Sequence, residues 1–175
     1  MAFRKRKIDS LVETLLDEHN VKDGPVPIAA IARSRRARIH ADALEGDLSG
    51  FLFREDGSAV IGVNTLHPQT RQTFTIGHEL GHLLLHDQDQ LHLDRGFPVR
   101  LRNSLSSEGT DEAEREANYF AAALLMPKRF LERDLSNQEF LDLTDDSTVK
   151  TLSRKYGVST VALVNRLKNL GYIVE

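Results

Sequence analysis

Apolar positions follow a helical rhythm toward both ends of the chain and an alternating one between residues 38 and 64. Ile8, Leu11, Val12, Leu15 and Leu16 stand at i, i+3, i+4, i+7 and i+8, the stripe of an amphipathic helix over residues 8–20. Gly24-Pro25-Val26-Pro27 breaks that helix, and a short second one is expected over Ile28–Ser34. The rhythm then changes. Residues 38–41 form a candidate strand, and residues 50–54 and Ser58–Asn64 flank the turn signal Glu55-Asp56-Gly57 of a β-hairpin. Leu66-His67-Pro68 leads directly into the next helix, with Pro68 suited to its first position. Residues 87–110 are polar and irregular, as in a lid or a disordered segment. Helical spacing returns over residues 111–125, where Ala113, Ala117, Phe120, Ala121 and Leu124 make one face. Short helices are expected over 127–134, 150–156 and 159–170, the last two joined at Gly157 with Ser159 as N-cap.

The stretch over residues 73–86, TFTIGHELGHLLLH, carries the candidate chemistry. His78 and His82 are four apart, so a helix brings both imidazoles to one side, close enough to share a metal ion. Glu79, one step round from His78, can reach a water on such an ion, which completes the H-E-x-x-H pattern. The bland alternative is a core helix with two satisfied histidines. A glycine, Gly81, on the packed face argues for close approach by another element. Ala117 and Ala121 on the next helix are small enough to make that approach.

Two histidines leave zinc one protein ligand short of a usual catalytic set. Asp111, Glu112, Glu114 and Glu116 are the acids available on the following helix. At 100° per residue, Glu114 lies at the edge of the buried face near Ala117 and Ala121, whereas Glu112 and Glu116 are expected to point to solvent. Asp111 shares the side of Glu114 but sits where the helix begins, so Glu114 is the expected third ligand. Asn118, one turn on, is placed to accept the free N–H of a ligand histidine, with an ordinary surface asparagine as the alternative. His86 is read as a capping or surface residue. Gln88 stands where a longer H-E-x-x-H-x-x-G-x-x-H motif would have its last histidine. No residue is identified as the oxyanion stabiliser, although Tyr119 and His67 are guesses for that role.

Composition narrows the partners. The 175-residue chain has 40% hydrophobic residues, enough for one ordinary domain with a small appendage. It has no cysteine, so any metal must be held by histidine and carboxylate. One divalent ion is expected, zinc first and manganese as the alternative. The net charge of -3 argues against wholesale nucleic-acid or membrane binding, and no apolar run is long enough to span a bilayer. A cytoplasmic location is expected. The basic group Arg33, Arg35, Arg36 and Arg38 is read as a solvated face.

The sequence resembles the ImmA/IrrE family of bacterial and phage metallopeptidases. The resemblance rests on FTIGHELGHLLLH followed by EREANYFAAALLMP, with a looser match through the Pro-x-Pro turn and the GVN strand. It implies a gluzincin-like fold, His78, His82 and Glu114 as metal ligands, and Glu79 as general base. It also implies a substrate class, helix-turn-helix repressors of the XRE type, whose cleavage induces stress-response, mobile-element or phage genes. The expected architecture is therefore α+β: mostly helical, with a small antiparallel sheet against the H-E-x-x-H helix. A zincin-like domain over residues 1–135 would carry a helical, helix-turn-helix-like extension over residues 136–175.

Two other functions compete. LSRKYGVSTVALVNRLKNLG resembles a helix-turn-helix, and Lys150, Arg154, Lys155, Arg166 and Lys168 make it locally basic. That would suit a DNA-binding regulator with a structural or vestigial metal site, although Arg166 stands where such motifs usually bury an apolar residue. The other is the toxin of a toxin–antitoxin pair, with the antitoxin as partner.

Overall fold

The computed structural model of the chain describes residues 3–86, 90–94, 108–136 and 146–172. Among these residues run α1 (Lys5–Glu18), α2 (Ile28–Ser34), β1 (Ala37–Asp42), β2 (Gly50–Glu55), β3 (Ser58–Asn64) and α3 (Gln69–Leu85). They are followed by β4 (Leu91–Asp94), α4 (Glu108–Leu125), α5 (Lys128–Leu135), α6 (Asp146–Tyr156) and α7 (Thr160–Leu170). The fold is α+β and mostly helical, as the rhythm of the sequence implies.

The stripe of α1 is buried where the periodicity puts it: Ile8, Val12, Leu15 and Leu16 are at most 3% exposed. Alternation in the hairpin does the same for Leu52 on β2 and for Ala59, Ile61 and Val63 on β3. Each large side chain so covered contributes about 1.5–3 kcal/mol of transfer free energy. Leu80 of α3 joins Phe120 and Leu124 of α4 in the same core.

The sheet has the order β1-β3-β2-β4 and is mixed, not wholly antiparallel, because β1 runs parallel to β3. The β2–β3 hairpin is antiparallel and forms at the expected turn, with Gly57 at φ +75°. β2 also pairs with β4, whose four residues come from the stretch read as irregular. Residues 87–89 and 95–107 of that stretch lie outside the described residues. The hairpin therefore has no open edge: β1 covers β3, and β4 covers β2.

α3 and α4 pack through small residues. A Cβ on Gly81 would come within 3.0 Å of the Ala117 Cα and 3.2 Å of its carbonyl oxygen. One on Gly77 would meet the Ala121 Cβ at 3.2 Å. Replacing these hydrogens with methyl groups would push the helices apart, and side chains reaching between them would lose their spacing. Pro68 caps α3 and does not begin it, with φ -55° and ψ 148°.

At the C-terminal end, Gly157 turns the chain at φ +65° and Ser159 caps α7, its hydroxyl accepting from the Ala162 N–H. Arg166 is 2% exposed, donates Nε–H to the Met126 carbonyl and lies 5.4 Å from the centre of the Tyr119 ring. A cation thus occupies the position at which a helix-turn-helix would bury an apolar side chain. No helix among the described residues is long and apolar enough to cross a membrane.

Candidate metal centre

The spacing of the H-E-x-x-H residues becomes geometry on α3. His78 and His82 are 3% and 2% exposed, and their Nε2 atoms are 3.0 Å apart. α4 brings Glu114 to them from the expected edge of its buried face. Its Oε2 is 3.3 Å from His78 Nε2, and its Oε1 is 3.2 Å from His82 Nε2. β4 adds a residue that periodicity alone does not single out: His92 Nε2 lies 3.4 Å from Glu114 Oε1. Ligand atoms of His78, His82, His92 and Glu114 all lie within 4.8 Å of one another.

This donor set fits a divalent ion. Ligands about 2.0–2.1 Å from a tetrahedral zinc ion stand about 3.3–3.4 Å from each other, close to the separations of Glu114 from both α3 histidines. Two orphaned groups point the same way. Both carboxylate oxygens of Glu79, which is fully buried, lack a hydrogen-bond partner, and so does His92 Nε2. Buried polar atoms without partners are costly, and Glu79 is the one carboxylate among the described residues with both oxygens in that state.

The electrostatics are consistent with a place for positive charge. Burial opposes protonation of His78, but its hydrogen bond to Glu114 and the neighbouring carboxylates outweigh that and raise its pKa. At His82 burial prevails, with His78 and His92 adding to it, and the pKa is pushed down to about 4. Burial would raise Glu114, but its contacts with His78 and His82 hold it well below the usual carboxylate range. Protonation of His78 is thus favoured beside Glu114, and a bound cation would compete with that proton. Glu79 behaves differently: burial pushes its carboxyl up to about 8.

The outer nitrogens of the two histidines are also engaged. His78 Nδ1 is 3.1 Å from Asn118 Oδ1, so Asn118 sits beside the histidine and not on open surface. His82 Nδ1 is 3.2 Å from His86 Nδ1. His86 is the C-cap of α3, with a side chain 6% exposed, so it is no surface residue. Its Nε2 is 3.1 Å from Glu116 Oε2. The expectation that Glu116 points to solvent is overturned. Glu116 is 2% exposed and receives hydrogen bonds from the Arg4 backbone N–H at 2.8 Å and from Arg4 Nε at 3.0 Å. Packing of α1 across that side of α4 covers what the helical angle left open.

His78, Asp94, Asn118 and Tyr119 line a cavity of about 890 Å³ that continues to Ala162 and Arg166 of α7. Of the two guesses for an oxyanion partner, Tyr119 lies in this cavity, but its hydroxyl donates to Asp9 at 2.7 Å. His67 belongs to neither group of candidate metal donors among the described residues. Sequence reasoning missed His92, Asp94 and Arg4. The alternation in LHLD is the one local signal for β4, and four residues are too few to distinguish it from loop.

The chain belongs to the family described as the IrrE N-terminal-like domain (peptidase M78), whose model matches residues 37–168. No curated protein matches the sequence. Among solved structures the chain is similar to a Mycobacterium tuberculosis transcriptional regulator, at 22% identity and a TM-score of 0.66. The match covers 93% of this chain and 46% of the regulator, so the likeness is one of fold over about half of that protein.

Proposed function

We propose that this member of the IrrE N-terminal-like family is a metal-dependent endopeptidase that cleaves one peptide bond in a helix-turn-helix (XRE-type) repressor. Cleavage would derepress stress-response, mobile-element or phage genes. The observation that carries the reading is the buried, unpartnered carboxylate of Glu79 next to a histidine–glutamate donor set.

In this reading His78, His82 and Glu114 hold the ion, zinc before manganese, and Asn118 orients His78. The ion, when bound, supplies Lewis acidity that polarises the scissile carbonyl and acidifies a water. Glu79 takes the proton of the attacking water and returns it to the leaving amine. A carboxyl pushed up to about 8 by burial is poorly suited to accept a proton at neutral pH, and a cation beside it works in the opposite direction. His92 is assigned to the substrate and not to the ion, because a fourth protein ligand would close a site that catalysis needs open. Its buried Nε2 can instead donate to the developing oxyanion.

β4 is the terminal strand of the described sheet and carries His92 and Asp94 into the site. A substrate segment added to β4 as a further strand would pass the donor set, held by backbone hydrogen bonds. A folded repressor has to release an extended segment for this, which makes cleavage specific and slow. The cavity continuing to α7 supports a docking role for the C-terminal helices beside the 1–135 body.

The test is incubation of the zinc-loaded protein with helix-turn-helix (XRE-type) repressors from the same genome, with products identified by mass spectrometry. One discrete cut, absent with Glu79→Gln, is expected. A second reading, a DNA-binding regulator, draws on the basic α6–α7 pair and on the regulator of similar fold. It is disfavoured because Arg166 is buried and Lys155 pairs with Asp134 at 2.7 Å, which leaves fewer cations for phosphate. Steeply salt-dependent binding to the operator, with no cleavage under any metal, would establish that reading instead.

A further inference from the structure

We propose that Glu116 and His86, with Arg4 behind them, form a positioning chain that sets the tautomer of His82, so that the His82 Nε2 lone pair faces Glu114. The inference rests on the reading of His82 as a metal ligand, and it adds two residues whose role in that reading is to orient a ligand.

The chain begins at Arg4. Its backbone N–H and Nε donate to Glu116 Oε1, and its Nη2 donates both to Glu116 Oε2 and to the Leu85 carbonyl. A carboxylate so surrounded by donors is ionised and can only accept. His86 Nε2, 3.1 Å from Glu116 Oε2, must therefore carry the proton between them. A neutral imidazole has one N–H, so His86 Nδ1 presents a lone pair. That lone pair is 3.2 Å from His82 Nδ1, which must donate to it. His82 then has no proton left for Nε2, the atom 3.2 Å from Glu114 Oε1 and 3.0 Å from His78 Nε2.

The fold holds His86 in place for this task. α3 ends at Leu85, and His86 leaves the helix with φ -126° and ψ 128°. Carbonyls at that end accept from two arginines: Leu85 from Arg4 at 3.1 Å, and His82 and His86 from Arg54 at 2.8 and 3.1 Å. Arg4 is 112 residues from Glu116 along the chain, so the arrangement forms only when α1 docks. Ligand histidines are usually oriented by one carboxylate or carbonyl, and here a second histidine relays the effect of the carboxylate.

The decisive measurement is nitrogen NMR of the histidine side chains in the metal-free, otherwise unaltered protein near neutral pH. His82 is expected as the Nδ1–H tautomer and His86 as the Nε2–H tautomer. His82 as Nε2–H, or His86 protonated at both nitrogens, would overturn the proposal without any variant having to fold. Zinc affinity by chelator competition supplies a second readout. His86→Phe is expected to lose about 10–100-fold, the usual cost of removing such a partner. Glu116→Gln, whose amide oxygen still accepts from His86, should retain most of the affinity that Glu116→Ala loses. Parent affinity in a folded His86→Phe protein would also overturn the chain. If His78→Ala and Glu114→Ala bound zinc like the parent, the metal-centre reading would fall instead, and the two failures are thereby distinguishable.

Discussion

The α3–α4 pair and the α6–α7 pair are both packed helices, yet they treat buried polar groups in opposite ways. Between α3 and α4, small residues at Gly77, Gly81, Ala117 and Ala121 bring the backbones together, and histidine and carboxylate side chains converge beyond them. Both oxygens of Glu79 are left without a partner there. At α6–α7 the polar groups serve the packing: Ser159 caps a helix, Tyr156 donates to Asp134 at 2.7 Å, and Arg166 Nε binds a main-chain carbonyl. Net hydrogen bonds contribute about 1 kcal/mol each, whereas a buried carboxylate without one is a large cost. The first pair therefore leaves a whole carboxylate without a partner, a cost that folding alone does not explain, whereas the second leaves one nitrogen, Arg166 Nη1, of a guanidinium whose Nε is bonded. This is the physical reason for seeking chemistry at one pair and stability at the other.

Substitutions can break this contrast. The largest effect is expected for Glu79→Gln, which should lower peptide hydrolysis about 10²–10⁴-fold, the usual contribution of a general base, with metal content unchanged. Metal lost together with activity, read by elemental analysis, would show that the side chain is a ligand. Glu114→Ala comes next: zinc affinity by chelator competition should fall by more than the 10–100-fold typical of outer partners.

Acid should affect the same side of the molecule through Glu116. The hydrogen bonds from Arg4 depress its pKa from 4.5 to about 2, although burial opposes this. A carboxyl depressed on folding contributes stability that is full above its unfolded value and is lost as the pH falls through the folded one. Stability from urea titrations should therefore drop between about pH 4.5 and 2, and Glu116→Gln should flatten that part of the profile. Arg4 is 31% exposed, so solvent screening makes the loss smaller than the shift suggests.

The smallest expected effect sharpens the comparison from the other side. Ser159→Ala should cost about 1 kcal/mol by loss of the α7 cap, read from thermal or urea unfolding, and leave zinc affinity unchanged. A change in zinc affinity in that variant would mean that the two helix pairs are coupled.

Much of this molecule is legible from spacing. The four-residue interval of His78 and His82 puts their imidazoles together on any helix, and the 100° step selects Glu114 and Asn118 from the next helix. The hairpin follows from alternation around a turn signal, and the α1 stripe from its 3.6 period. These are local consequences of backbone geometry, so the sequence determines them by itself. Tertiary structure decided the rest. The same 100° step sends Glu116 to solvent, but α1 lies there, and Arg4 turns an exposed acid into a buried, ionised one. His92 and Asp94 reach the site because β4 adds to β2, a pairing of residues about 40 apart whose partner no local pattern names. Periodicity records which way a side chain leaves its own element; what it meets depends on which other element has docked there.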